Sequence, residues 1–195
     1  MDLAQSLTFV NFVGTLAIVF TVAVFLSGIE VCQEIRQKYG VDNISFFPFL
    51  AIFLNCSLWL LYGRLVGDNF IIGVNIIGAV LSGSYLIFYF QYALGTQKTW
   101  FILVVGFGLI MLIAKIWFAL YYIQDADHRK QVSSLYCFAS TVMMFGSPLV
   151  SAYRVIQNKT TEGMSFTLTV TSLGCSSLWT VYGMMLGDST VEVFI

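Results

Sequence analysis

The sequence predicts an all-α integral membrane protein whose helices cross the bilayer several times. Three observations carry that prediction. Of 195 residues, 58% are hydrophobic and only 10% charged, whereas a soluble domain carries about 25% charged residues. Phe (18), Tyr (10) and Trp (4) are abundant, as expected of helices with aromatic belts at the membrane–water interfaces. The apolar residues also fall into runs near the roughly 20 residues that a helix needs to cross the hydrocarbon core. A formal net charge of -1 gives no reason to expect a nucleic-acid partner.

Six full spans follow from those runs. The first covers about 7–26 and is followed by the polar stretch EVCQEIRQKYGVDN. The second covers about 45–62, and Arg64, Gly67, Asp68 and Asn69 form the turn after it. The third covers about 70–92, with GTQKT, residues 95 to 99, as a short link. The fourth covers about 100–122, ahead of the most polar stretch of the chain, QDADHRK. The fifth covers about 132–155 and the sixth about 166–186, separated by the polar residues 158–163. The remaining GDSTVEVFI begins a seventh span but is too short to complete one, since about 20 residues are needed.

Orientation follows from Lys and Arg, not from net charge. With the N-terminus outside, the inner loops hold Arg36, Lys38, Lys98, Arg154 and Lys159, and the outer loops hold Arg64, Arg129 and Lys130. The bias favours an outside N-terminus. On that topology the sequons at Asn43 and Asn158 are cytosolic and the one at Asn55 is within the membrane, so none receives a glycan. The first residues, with an acidic start at Met1-Asp2, do not read as a cleavable leader. Cys32, Cys56, Cys137 and Cys175 show no CxxC or metal-like grouping and read as structural thiols. Lys115 lies within the fourth span. It is expected to snorkel to the outer interface, or to have a pairing or transport role. Asn11, Asn55, Asn75 and the Ser and Thr residues of the spans are expected to face protein or a water-filled path, because unpaired polar groups in lipid are costly.

A repeat at an offset of 120 residues organises these spans. Thr21, Val22 and Phe25 match Thr141, Val142 and Phe145; Ser27 matches Ser147; Ser45-Phe46 matches Ser165-Phe166. SLWLLYG, residues 57 to 63, matches SLWTVYG, residues 177 to 183, and Gly67-Asp68 matches Gly187-Asp188. The first three spans form one copy. The fifth, the sixth and the incomplete seventh form the other, with the fourth as linker, a 3+1+3 plan. The expected divisions are 1–95, 96–126 and 127–195. An odd linker keeps both copies in the same orientation, a parallel repeat of the kind found in transporters with a mid-membrane substrate site.

The same residues resemble the SWEET sugar transporters, the MtN3/saliva family, over essentially the whole chain. The resemblance rests on SFFPFLAIFLNCSLWLLYG (45–63), GDNFIIGVNIIG (67–78), FGSPLVSAYRVIQNKTTEGMSF (145–166) and CSSLWTVYGMMLGD (175–188) taken together. It implies facilitated sugar uniport by alternating access, with no cofactor, metal or catalytic residue. It also implies a pocket that pairs a Trp from each half, here Trp59 and Trp179, with an Asn, here Asn75. Sugar size would be tuned at Asn55 and Cys175, four residues before each Trp, and at Val24 and Met144. These are not small side chains, so a monosaccharide is expected. Indole faces meet the C–H faces of a sugar while amides donate and accept hydrogen bonds. Each Trp also reads as an interface anchor or core filler, and Asn75 as a helix-to-helix hydrogen bond.

The family's helix hinges are prolines, matched here by Pro48 and Pro148, with Gly28 and Leu168 at the other two positions. The alternative for the prolines is a simple kink. Asp68 and Asp188 read as helix caps, or as an outer gate. The repeat register predicts an Asn at Ile195, so the second pocket Asn is missing and the seventh helix is truncated in this chain. The expected partners are a sugar and the lipid bilayer, with a homo-oligomer as the way to cover the incomplete repeat. The plasma membrane is the expected location, with Golgi or another internal membrane as the alternative. Two other functions remain open: a PQ-loop type amino-acid carrier, and a truncated assembly protein that does not transport.

Overall fold

The computed structural model describes the backbone of residues 3–158 and 166–194, and the side chains of residues 8–144 and 170–191. Every regular element among them is helical: α1 (Leu3–Leu26), α2 (Gly28–Lys38), α3 (Phe47–Val66), α4 (Asn69–Tyr92), α5 (Gly95–Trp117), α6 (Ala126–Asn158), α7 (Phe166–Leu186) and α8 (Ser189–Phe194). A π-helical turn, Phe118–Tyr122, extends α5. Among the described residues, Thr8–Lys38, Phe47–Val66, Asn69–Tyr92 and Gly95–Tyr122 are long and apolar enough to cross a membrane.

The element bounds correct the sequence reading in three places. The polar stretch after Leu26 is helix α2, not a loop. Its apolar residues Val31 and Ile35 stand four apart, and Ile35 is fully buried. Its charges lie on the other side, where Lys38 and Glu34 pair at 2.5 Å. GTQKT is the first turn of α5, not a link. Residues 126–130 of QDADHRK already belong to α6. In each case the helical hydrogen-bond ladder includes polar residues outside the apolar run, because it does not end where hydrophobicity does. The turn after α3 is also tighter than expected. Arg64 is still helical, and Gly67-Asp68 alone make the turn.

Most polar groups inside the helices satisfy themselves locally. Thr15, Thr21, Ser57, Ser82, Ser84 and Thr180 each donate to the carbonyl four residues back, at 2.6–2.9 Å. A hydroxyl bonded in this way faces lipid at little cost. Asn11 is exposed. Lys115 stands with its Nζ 5.3 Å from the ring centroid of Tyr136.

The chain packs as two compact units, Met1–Val24 with Thr141–Ile195, and Phe25–Ser140. In the second, Phe46, Tyr89 and Phe101 form an aromatic core, with centroid distances of 4.9–5.6 Å. The 39–46 connection is tied down on that core. Tyr89 Oη donates to the Ile44 carbonyl at 3.1 Å, and Gln97 Nε2 donates to Asp42 Oδ1 at 2.7 Å. Helix α5 buries only Phe101 and Leu112 and exposes Trp100, Leu103, Phe107, Ile110, Ile113 and Trp117. That is an apolar surface suited to lipid.

Candidate functional site

Each copy of the repeat carries its tryptophan on one helix that ends in a Gly-Asp turn. In the first copy, α3 runs to Val66 and stops at Gly67, whose φ of 77° is the left-handed conformation that glycine adopts without strain. Asp68 then caps α4, with Oδ1 accepting from Phe70 N at 2.8 Å and Ile71 N at 3.0 Å. Gly187, with φ of 66°, and Asp188 repeat the device. Asp188 Oδ1 accepts from Thr190 N at 2.9 Å and Val191 N at 3.3 Å. The capping expected of both aspartates is therefore present.

About two turns before each end stand the tryptophans. Trp59 and Trp179 are both 3% exposed. Each meets the tyrosine three residues on edge-to-face: Trp59 and Tyr62 at 5.8 Å and 85°, Trp179 and Tyr182 at 5.5 Å and 90°. This spacing puts both rings on one helix face.

In the Phe25–Ser140 unit, Asn55 lies one turn before Trp59 and is 7% exposed. Its Oδ1 accepts from the Ser140 hydroxyl at 2.7 Å. Asn75, on α4, is 9% exposed, and its Nδ2 donates to the Ile71 carbonyl of its own helix at 2.8 Å. The bond resolved for Asn75 is thus within its helix and not between helices. In the other unit, Trp179 Nε1 donates to Thr21 Oγ1 at 2.9 Å. Cys175 Sγ lies 3.1 Å from the same hydroxyl. Val24 and Met144 are half-buried. Sequence reasoning matched Thr21 to Thr141 but assigned it no role, and it passed over Ser140. Their partners lie 158 and 85 residues away, beyond the reach of any local pattern.

The hinge positions differ in character. Pro48 is the second residue of α3, where a helix N–H has no intrahelical partner, so it opens the helix without bending it. Gly28 follows the break at Ser27 that separates α1 from α2. A Cβ on Gly28 would collide with the Tyr85 ring, whose hydroxyl donates to the Phe25 carbonyl at 3.2 Å. Pro148 lies within the backbone of α6, but its side chain, with Leu168 and Ile195, falls outside the described residues. Among the described residues no cluster of His, Cys, Asp or Glu has the arrangement of a metal site.

Comparison with known proteins gives a consistent result. Residues 11–97 and 131–194 match the MtN3/saliva family, described as sugar efflux transporters for intercellular exchange. The sugar transporter SWEET1 of Mus musculus is 33% identical over 190 residues, covering 94% of this chain and 82% of the relative. That of Homo sapiens is 33% identical over 183 residues, covering 90% and 79%. That of Xenopus tropicalis is 36% identical over 176 residues, covering 90% and 81%. A solved structure of a eukaryotic SWEET transporter superposes with a TM-score of 0.88 at 26% identity, covering 94% of this chain and 87% of the other. The fold is the all-α, multi-pass 3+1+3 repeat architecture. With two buried indoles set at the same place in each copy, and more than half of its length matched, the chain belongs to the MtN3/saliva, or SWEET, family of sugar transporters.

Proposed function

We infer that the chain carries a sugar across the membrane down its gradient, and we propose a monosaccharide such as glucose as that sugar and alternating access as the mode. One observation carries the reading. Each repeat copy holds a buried indole beside small polar groups: Asn55 near Trp59, and Thr21 and Cys175 near Trp179. None of the proposed contacts (Trp59, Asn75, Asn55, Trp179, Cys175, Val24 and Met144) is an Asp, Glu, Lys, Arg or His. A neutral, hydroxyl-rich ligand with apolar faces suits such a surface. It also leaves readily, because no charge pairing holds it. The bulk of Asn55, Val24 and Met144 supports a monosaccharide over a disaccharide.

The conformational parts of the reading rest on Gly28, Pro48 and Pro148 as hinges, with Asp68 and Asp188 at an outer gate. The break in the helical rod directly before Gly28 supports the first of these. Plasma membrane is the proposed location, the N-terminus the outward end, and association of copies the proposed assembly.

The test is uptake of radiolabelled glucose into liposomes holding the 195-residue chain, beside Trp59→Ala and Asn75→Ala variants and protein-free liposomes. Saturable uptake lost in both variants is the expected result. A protein that moves neither glucose nor sucrose would overturn the assignment.

A further inference from the structure

Helix α1 ends at Leu26 and α2 starts at Gly28, and α4 meets the chain on both sides of that break. Before it, the Phe25 ring lies against Gly78 of α4, where a Cβ would collide with it. After it, the Tyr85 ring of α4 lies against Gly28, where a Cβ would collide in the same way. Gly78 and Tyr85 are seven residues apart, two turns along one face of α4. The contact is thus reciprocal, with an aromatic ring on a glycine in each direction. Tyr85 also donates from Oη to the Phe25 carbonyl at 3.2 Å, and its ring stands 5.3 Å from that of Phe49, the neighbour of Pro48. One buried side chain, 8% exposed, therefore touches both sides of the break and the start of α3.

Gly28 falls in repeat register with Pro148. A proline fixes its own φ, whereas a glycine is permissive and leaves the angle between α1 and α2 to be set from outside. We propose that Tyr85 is a positioning residue of the transport cycle, which supplies at Gly28 the restraint that a proline would carry in its own ring. The proposal rests on the transport reading above, with Gly28 as a hinge, and deepens it. The break stays as described while the Tyr85 hydroxyl holds the Phe25 carbonyl, and α2 swings away from α4 when that bond parts. Losing the bond therefore speeds departure from this conformation and leaves the sugar contacts unchanged.

Cys32 is a built-in reporter. It lies one turn after Gly28 on the same side of α2 and is half-buried, whereas Cys137 on α6 is fully buried. The experiment treats the chain in liposomes with N-ethylmaleimide and follows Cys32 and Cys137 separately by peptide mass spectrometry. Radiolabelled glucose uptake is measured on the same preparations. The proteins are the unsubstituted chain, Tyr85→Phe, Gly28→Ala, Tyr85→Val and the Gly28→Ala/Tyr85→Val pair. Tyr85→Phe keeps the ring and loses the hydroxyl, so it should speed Cys32 alkylation by about two- to tenfold. It should also raise the maximal uptake rate by at least about twofold, with KM held within about twofold. Gly28→Ala should speed Cys32 alkylation by at least about fivefold, because its methyl group displaces the Tyr85 ring. Added to Tyr85→Val, the same methyl group should change that rate by less than about twofold, since the ring it would strike is gone. Tyr85→Phe preserves the packing, so its result stands if Gly28→Ala fails to insert. An unchanged Cys32 rate in Tyr85→Phe would refute the clamp. Faster Cys32 alkylation with unchanged uptake, a change confined to KM, or an equal rise at Cys137 would refute the role in the cycle. If the unsubstituted chain shows no saturable sugar uptake, the transport reading falls and this proposal with it, and the Cys32 rates tell that failure from a missing clamp.

Discussion

Residues 57–68 and 177–188 are two copies of one segment, and comparing them separates what the fold demands from what the site varies. Both carry a Trp–Tyr edge-to-face pair, at 5.8 and 5.5 Å. Both end on a glycine with positive φ. Both place an aspartate oxygen on the two amides that open the next helix. The residue four before each Trp differs, however: Asn55 in one copy and Cys175 in the other. Among the described contacts, Ser140 meets Asn55 and Thr21 meets both Trp179 and Cys175. The turn chemistry is kept because each copy must reverse direction in the same short space.

The largest effect should come from the element the copies share. Trp59→Ala and Trp179→Ala are each expected to lower glucose uptake by more than about tenfold, since each removes a buried aromatic surface. A variant that transports normally would break the equivalence of the halves. Next comes the hydroxyl that meets Trp179. Thr21→Val keeps the shape but removes the hydroxyl that accepts from the Trp179 indole. It should raise the glucose KM by roughly three- to tenfold, the size of one net hydrogen bond. Maximal rate should hold, and Trp59→Tyr should add to it independently. Smaller again are the caps. Asp68→Ala is expected to cost about 1 kcal/mol of stability, read as earlier thermal unfolding in detergent. Asp68→Asn should restore most of that, because an amide oxygen also accepts. An effect of the Asn variant on transport alone would sharpen the outer-gate reading. The smallest expected effect is none: uptake should not respond to an imposed pH gradient, because no Asp, Glu, Lys, Arg or His stands among the proposed contacts. A clear response would point to a coupled carrier.

How much of this was readable in advance depended on the range of each signal. The bounds of α4 and α7 follow their apolar runs within a residue, and the repeat located both tryptophans and both caps. Helix α2 was missed because its charges suggested a loop, although Val31 and Ile35 at four-residue spacing, with Glu34 and Lys38 at the same spacing, were a helical signal. The π-turn at Phe118–Tyr122 had none, since FALYY has no helix-breaking residue. Thr21 and Ser140 were out of reach for a different reason. A hydroxyl in a span commonly turns back to its own helix, and only the fold decides which one also finds a distant partner.

The Gly67-Asp68 turn has a consequence for how the chain enters the bilayer. Gly67 N and Asp68 N both bond to the Gly63 carbonyl, at 2.8 and 3.0 Å, while the aspartate oxygen takes the first amides of α4. The tip of the α3–α4 hairpin thus arrives with these backbone groups already satisfied. Such a tip can be drawn through the hydrocarbon layer with its two helices as one inserting piece, and it needs no long hydrophilic loop to complete the crossing.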